Sequence, residues 1–359
     1  MSLGFSIYFG LDNTMEENLQ LLKDGKNLGF TRIFTSLHIP EADYSILKSQ
    51  VKEFFKIAKE YDMDIISDIS PNTFKFLNLD NMDLKGLSEI GVKTIRVDFG
   101  YNEEEIAKMS RNPYGIKVQL NGSTVTEEFL LKLDKLEVEY KNIDALHNFY
   151  PRAGTGISIE YMEKQNKLLS KRGIKVSSFI QSNNRKRGPI KEGLPTLENH
   201  RNLDVRIAAN ELFALGNETV FIGDSLPSIQ ELKELSLLKQ DEIMLDIEVM
   251  VKDDIINRLL KETYTPRVDQ ARDAIRAVES RYNLNGDIII PMNTIDSEIG
   301  YITIDNIEYG RYMGELQILK VNKKRDYRIN VVAKVSENSL HLLRYIDEGK
   351  KFSFYNKEF

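Results

Sequence analysis

The sequence predicts an α/β protein: a (β/α)8 TIM barrel followed by a smaller, mostly β domain. Three observations lead there. Eight short β-type runs recur about every thirty residues through the first two-thirds of the chain, each followed by a helix-like segment. Eight βα units in succession are what a closed parallel barrel requires. The same punctuation, a glycine between helix and next strand, recurs at Gly29, Gly91, Gly173 and Gly216. Beyond residue 238 the helix–strand alternation stops. The expected division is therefore 1–238 for the barrel and 239–359 for the second domain.

The runs span residues 4–10, 31–39, 63–70, 94–100, 115–122, 142–150, 175–182 and 219–224. Thr14 with Glu17 forms a capping box ahead of the first helix, and Asn102 with Glu105 repeats it after the fourth strand. Leu47, Val51, Phe54, Phe55 and Ala58 keep helical spacing, one apolar stripe able to lie on a sheet. Glycine at a helix C′ position removes the steric cost of a left-handed residue. The connection after Gln181 is long and carries two Gly and two Pro between Ser182 and Thr196, so it reads as a shaped functional loop. In the second domain, β-type runs occupy 242–251, 287–290, 299–304, 314–321 and 327–335, with a helical-looking, arginine-rich stretch at 270–280. The tail at 350–355 reads as an edge strand or a partner contact.

Composition narrows the function. The chain of 359 residues has no cysteine, which excludes disulfides, thiolate metal sites and cysteine nucleophiles. A net charge of −6 disfavours a general nucleic-acid binder. No apolar run approaches the length of a membrane span and no signal-type segment is evident, so a cytoplasmic protein with no membrane partner is expected. No metal-type histidine spacing appears, and neither a metal nor a cofactor is expected.

A TIM barrel gathers its chemistry at the C-terminal strand ends. Those ends carry Tyr8, His38, Asp68, Asp98, Asn121, His147, Asn148, Tyr150, Gln181 and Asp224, a polar set suited to a sugar. Glycoside hydrolysis needs two carboxyl groups across the scissile bond, one a proton donor with a raised pKa. Glu192, in the long loop, is the expected acid and Asp98 the expected nucleophile or base; Asp68 and Asp224 are held in reserve. Two of the four histidines, His38 and His147, fall at strand ends and are read as hydroxyl binders. Arg152, Arg187 and, from the second domain, Arg311 are the expected anion clamps. A second domain joined without a loose linker is expected to contribute to the site.

Several longer stretches carry a resemblance. They include Ser67-Asp68-Ile69-Ser70-Pro71, Arg96-Val97-Asp98-Phe99-Gly100, Leu120-Asn121-Gly122-Ser123-Thr124 and His147-Asn148-Phe149-Tyr150-Pro151-Arg152. Further on come Lys186-Arg187-Gly188-Pro189, Glu192-Gly193-Leu194-Pro195-Thr196-Leu197-Glu198, Ile222-Gly223-Asp224 and Arg311-Tyr312-Met313-Gly314-Glu315-Leu316-Gln317-Ile318. In this order they resemble the 6-phospho-N-acetylmuramidase family, with Gly122 and Ala153 as small departures. The resemblance implies a cyclophilin-like second domain. It also implies hydrolysis of the β-1,4 bond of a phosphorylated amino-sugar disaccharide, N-acetylmuramic acid 6-phosphate–N-acetylglucosamine, in peptidoglycan recycling. It assigns no catalytic residue. A non-catalytic phosphosugar- or muropeptide-binding regulator and a sugar-phosphate lyase or isomerase are the competing classes.

Overall fold

The computed structural model describes residues 1–36, 44–69, 73–74, 77, 79–80, 82–97, 100–347 and 349–357. The chain divides into two compact units, Met1–Leu237 and Leu238–Phe359. In the first, eight parallel strands close into a barrel. They are β1 (Ser2–Ile7), β2 (Arg32–Ser36), β3 (Asp64–Ile69), β4 (Val92–Val97), β5 (Lys117–Asn121), β6 (Ile143–Leu146), β7 (Lys175–Ile180) and β8 (Thr219–Ile222). Most strands stop two to four residues before the β-type run does. The polar residues past the ends of β1, β5, β6, β7 and β8 leave the ladder to form the barrel rim.

The helices are α1 (Met15–Asn27), α2 (Tyr44–Glu60), α3 (Leu84–Glu89), α4 (Glu103–Ser110), α5 (Glu127–Leu133), α6 (Ile159–Ser170), α7 (Val205–Ala214) and α8 (Ile229–Ser236). Both expected capping boxes form, at Thr14/Glu17 and Asn102/Glu105. Gly29, Gly91, Gly173 and Gly216 all take positive φ, as helix-ending residues. Val51, Phe54, Phe55 and Ala58 are buried, with Phe54 edge-on to Phe9 at 5.3 Å. The Leu47 side chain lies outside the described set.

Register sorts the barrel's interior into layers. At the N-terminal floor Arg32 donates to Asp64 and Asp144, each at 2.9 Å, a buried charge held by two carboxylates. Above it Phe34, Ile66, Leu146, Phe179 and Phe221 pack as an apolar plug, with Tyr8 and Leu194 over them. The interior is thus a filled core, and ligand access is confined to the C-terminal rim.

The second unit is a smaller, mostly β half-barrel with sheet order β10-β12-β11-β13-β9-β14. Its strands are β9 (Glu242–Val249), β10 (Ala274–Arg276), β11 (Tyr301–Asp305), β12 (Leu316–Leu319), β13 (Ile329–Val335) and β14 (Lys351–Tyr355), with one α-helix, α9 (Asp254–Leu260), and short 3-10 turns among the described residues. Two expectations fail here. The arginine-rich 270–280 stretch is not helical: Ala274–Arg276 pairs antiparallel with Leu319–Gln317, and sheet pairing overrides helix propensity. Residues 287–290 form no strand; the Asn330 side chain takes the Ile290 carbonyl instead of a neighbouring strand. The tail resolves as an edge strand, parallel to β9.

Candidate active site

Asp68 at the end of β3 accepts Arg96 Nη1 from β4 at 3.0 Å, and Arg96 Nη2 donates to Asn148 Oδ1 beyond β6 at 2.6 Å. A carboxylate, a guanidinium and a carboxamide are thus linked across three strand ends. Arg96 is buried, whereas the Asp68 side chain keeps 23 % of its surface open. The row is a polar ledge on the rim, able to hold the hydroxyls of a ring lying over it.

The loop after β7 folds back onto this rim. Tyr150 N donates to Pro195 O at 3.0 Å, Ile157 N to Thr196 O at 3.1 Å and Glu198 N to Ile157 O at 3.1 Å. The loops after β6 and β7 are therefore zipped together by backbone. Arg201 rivets them: its guanidinium binds both Glu198 oxygens and the carbonyls of Tyr150, Arg152, Glu192 and Gly193. Those bonds, joined by the Gly154 and Gly156 N–H groups, hold the Glu198 carboxyl down at about 2. From the other side Asp12 accepts Gly188 N at 2.9 Å. The loop is shaped, as its glycines and prolines suggested.

Arg187 emerges from that loop with its guanidinium 4.8 Å from the Tyr8 ring centre and 4.9 Å from the Phe149 ring centre. It makes no ion pair with a described carboxylate. Two aromatic faces hold the cation, and among the described residues no side chain or carbonyl takes its side-chain N–H donors. Arg152 is exposed and likewise unpaired among the described residues, whereas Arg185 is bound to Glu17 at 2.9 Å and Lys186 to Asn202 at 2.8 Å.

The other expected site residues separate clearly. Asp98 and His38 lie outside the described residues. Glu192 is at the rim but exposed, its carboxylate accepting Ala153 N at 2.6 Å. Asn148 and Tyr150 are half-buried on the rim. Arg311 belongs to the second unit, where its guanidinium meets the Tyr312 hydroxyl at 2.8 Å.

Five of the expected site residues are buried and hydrogen-bonded within the protein. Asp224 is fully buried and accepts the N–H groups of Ser182, Arg187 and Leu194 at 3.0, 3.0 and 3.2 Å. Burial pushes its pKa up, and its oxygens anchor the loop. Tyr8 is buried, donates to Gly223 O at 2.7 Å and forms the platform beneath Arg187. Gln181 is buried, donating to Asn183 Oδ1 at 2.6 Å under Gly193. Asn121 is buried and its Oδ1 accepts Ser123 N, bracing the β5 turn. His147 is fully buried between Ser123 Oγ (3.1 Å) and Asn166 Oδ1 (2.9 Å), so neither ring nitrogen is open to a hydroxyl.

Two expected results follow. Burial holds His147 down at about 4. The unfolded chain, with an ordinary imidazole near 6.5, then binds more protons than the folded one between those values. Stability attributable to this residue is complete above about pH 6.5 and is lost as pH falls toward 4. His147→Gln, which keeps a hydrogen-bonding side chain without titrating, should flatten that part of a urea-unfolding pH profile. Removal of Arg201 strips the rivet from both loops, and charged hydrogen bonds contribute roughly 1.5–3 kcal/mol each. Arg201→Ala should speed tryptic cleavage at Lys186, Arg187 and Lys191 by at least about tenfold, with the barrel still folded by circular dichroism.

With the site described, comparison with known proteins becomes informative. The description "6-phospho-N-acetylmuramidase, N-terminal" matches residues 3–237, and "6-phospho-N-acetylmuramidase, C-terminal" matches residues 242–355. The chain belongs to the 6-phospho-N-acetylmuramidase family. The family's name is that of a glycosidase acting on a phosphorylated muramic-acid sugar. Among solved structures, the chain is 30 % identical to an uncharacterized B. cereus protein, with a TM-score of 0.87 and 99 % of each chain covered. It is 31 % identical to a conserved Enterococcus faecalis protein described as of unknown function, with a TM-score of 0.76, covering 99 % of this chain and 97 % of that one. No curated protein matches. The rim residues of this family member that sequence reasoning did not single out are Arg96, Phe149, Arg201, Glu198 and Asp12. Only Glu198 and Arg201, a salt-bridging pair three residues apart, left a local signal.

Proposed function

We propose that the protein hydrolyses the β-1,4 bond of N-acetylmuramic acid 6-phosphate–N-acetylglucosamine, a cytoplasmic step of peptidoglycan recycling. The single observation that carries the reading is Arg187, a guanidinium poised over Tyr8 and Phe149 with no described carboxylate to neutralise it. Exposed Arg152 stands on the adjoining loop, which suits a substrate bearing a phosphate and a carboxylate. The Asp68–Arg96–Asn148 ledge suits the sugar hydroxyls. Asp98, directly following β4, remains our nucleophile or base, with Asp68 in reserve. Glu192 remains the proton donor, with the bound sugar lying over its exposed carboxyl. Asp224, buried behind the loop, stays in reserve as well. Incubating the protein with the phosphorylated disaccharide and its unphosphorylated counterpart, with products followed by mass spectrometry, tests the reading. Binding without cleavage would favour a regulator.

A further inference from the structure

The apolar layer between the barrel and its helices is not filled beside β4 and β5. Val97 ends β4 opposite Leu120 of β5. Successive strand residues turn to opposite faces. While Arg96 serves the rim, Val97 and Leu120 therefore turn outward, toward α4 and α5. A cavity of about 290 Å³ lies there. Its floor is Val97, Ile106, Leu120 and Val125, all buried. Its mouth is made by Tyr101 and Phe129, both half-buried, and by Thr124 and Thr126, both exposed. Protein interiors hold few voids larger than a water molecule, and an apolar cavity costs stability in proportion to its volume. An apolar cavity of roughly 150 Å³ is already enough to bind benzene.

One polar atom at this cavity has nothing to bind. The Tyr101 hydroxyl is buried and makes no hydrogen bond among the described residues. A buried donor left unmet is costly. Burial, with the Glu105 carboxylate nearby, pushes this phenol up to about 12, so at neutral pH it keeps its proton and can donate it. None of the described lining residues carries a charge. The complementary ligand is therefore uncharged, apolar over most of its surface, and brings one acceptor oxygen to Tyr101. A carbonyl joined to an alkyl group meets all three conditions.

We propose that this cavity binds the N-acyl group of a neutral small molecule, its carbonyl oxygen accepting from the Tyr101 hydroxyl and its alkyl part lying on Val97, Ile106, Leu120 and Val125. The volume is about twice that of a cavity that takes benzene, so an acyl chain longer than acetyl fits. Two sources share this chemistry, an N-acylated amino sugar and a simple N-alkyl amide. Because Val97 directly follows Arg96, the cavity lies on the opposite face of β4 from the Asp68–Arg96–Asn148 ledge and is a separate site. The inference does not depend on hydrolysis by the barrel.

The test uses the full chain with ¹³C-labelled valine methyls, read at Val125. N-butanoylglucosamine and N-methylbutanamide are the probes, and glucose, which has no acyl group, is the counter-probe. The Val125 signals should shift saturably with at least one acyl probe and not with glucose; the pattern across the two names the source. Tyr101→Phe should weaken binding about three- to tenfold, the scale of one neutral hydrogen bond. Its Tm should equal or exceed that of wild type, because the lost hydroxyl has no described partner in the protein. Ile106→Phe, which fills the cavity, should abolish the response, and it carries the test if Tyr101→Phe does not fold. Arg187→Ala should leave the response intact. Val125 signals silent to both acyl probes, an equal shift with glucose, a response undiminished in either cavity variant, or a lower Tm for Tyr101→Phe would each overturn the proposal. Acyl binding at Val125 without disaccharide cleavage would sink the hydrolase reading and leave this one standing.

Discussion

Arg187→Ala is expected to raise KM for the phosphorylated disaccharide about a hundredfold or more, and to remove most of the discrimination against the unphosphorylated one. The guanidinium is held at 4.8 and 4.9 Å over the Tyr8 and Phe149 rings, and no described carboxylate pairs with it. The two rings therefore order it before the ligand arrives, and among the described residues no ion pair has to be broken. Truncating a desolvated, hydrogen-bonded charge pair costs roughly 2–5 kcal/mol, and about 1.4 kcal/mol is a factor of ten. Arg187→Lys should recover only part of the loss, because an ammonium neither stacks on both rings nor forks onto a phosphate. Phe149→Leu, which removes one ring, should fall between wild type and Arg187→Ala. Michaelis constants for the two disaccharides across these variants decide it; equal discrimination in wild type and Arg187→Ala would remove Arg187 from the phosphate.

The second large effect concerns the carboxyl groups. Asp98→Asn should reduce kcat by about 10²–10⁴-fold, the usual scale for a positioned acid–base or nucleophilic group, and should do so for every leaving group. Glu192→Gln should act differently. If its carboxyl protonates the departing oxygen, the loss is large for the natural disaccharide and small for an activated aryl glycoside, which needs little protonation. The basic limb of the pH–rate profile should vanish with it. Glu192 is exposed and touches Ala153 N–H at 2.6 Å. An equal loss for both leaving groups would therefore mean that Glu192 serves only to pin the loop after β6. Asp68→Asn is the control on the ledge: its ion pair with Arg96 predicts a rise in KM as well as a fall in kcat. If Asp98→Asn keeps more than roughly a tenth of the wild-type rate, far above the usual loss for such a group, the catalytic role passes to Asp68.

The barrel was legible because its cues are local and repeated. A period-two run, a capping box and a C′ glycine each act over a few residues, and Thr14/Glu17, Asn102/Glu105 and Gly216 all formed as read. The second unit was less legible. The arginines at 270–280 favour helix in isolation, and only the long-range partner Leu316–Leu319 makes Ala274–Arg276 a strand. At the site, sequence identified the polar strand ends but not which atoms are free. Asp224, Tyr8 and His147 occupy strand ends, as expected, yet hydrogen bonds from distant loops and helices claim them. Arg201 escaped notice because its role lies in six contacts to carbonyls and one carboxylate, made by a residue that follows no strand. Chemistry types are written in the sequence; which groups are already partnered is a property of the fold.

The most direct test of the central claim is a product analysis. Wild-type protein is incubated with N-acetylmuramic acid 6-phosphate–N-acetylglucosamine and, separately, with the disaccharide lacking the phosphate, and the masses of the products are followed with time. The account predicts release of the two monosaccharides, with one water added, from the phosphorylated compound and little or none from the other. Equal cleavage of both, or an intact phosphorylated disaccharide at saturating enzyme, would contradict it.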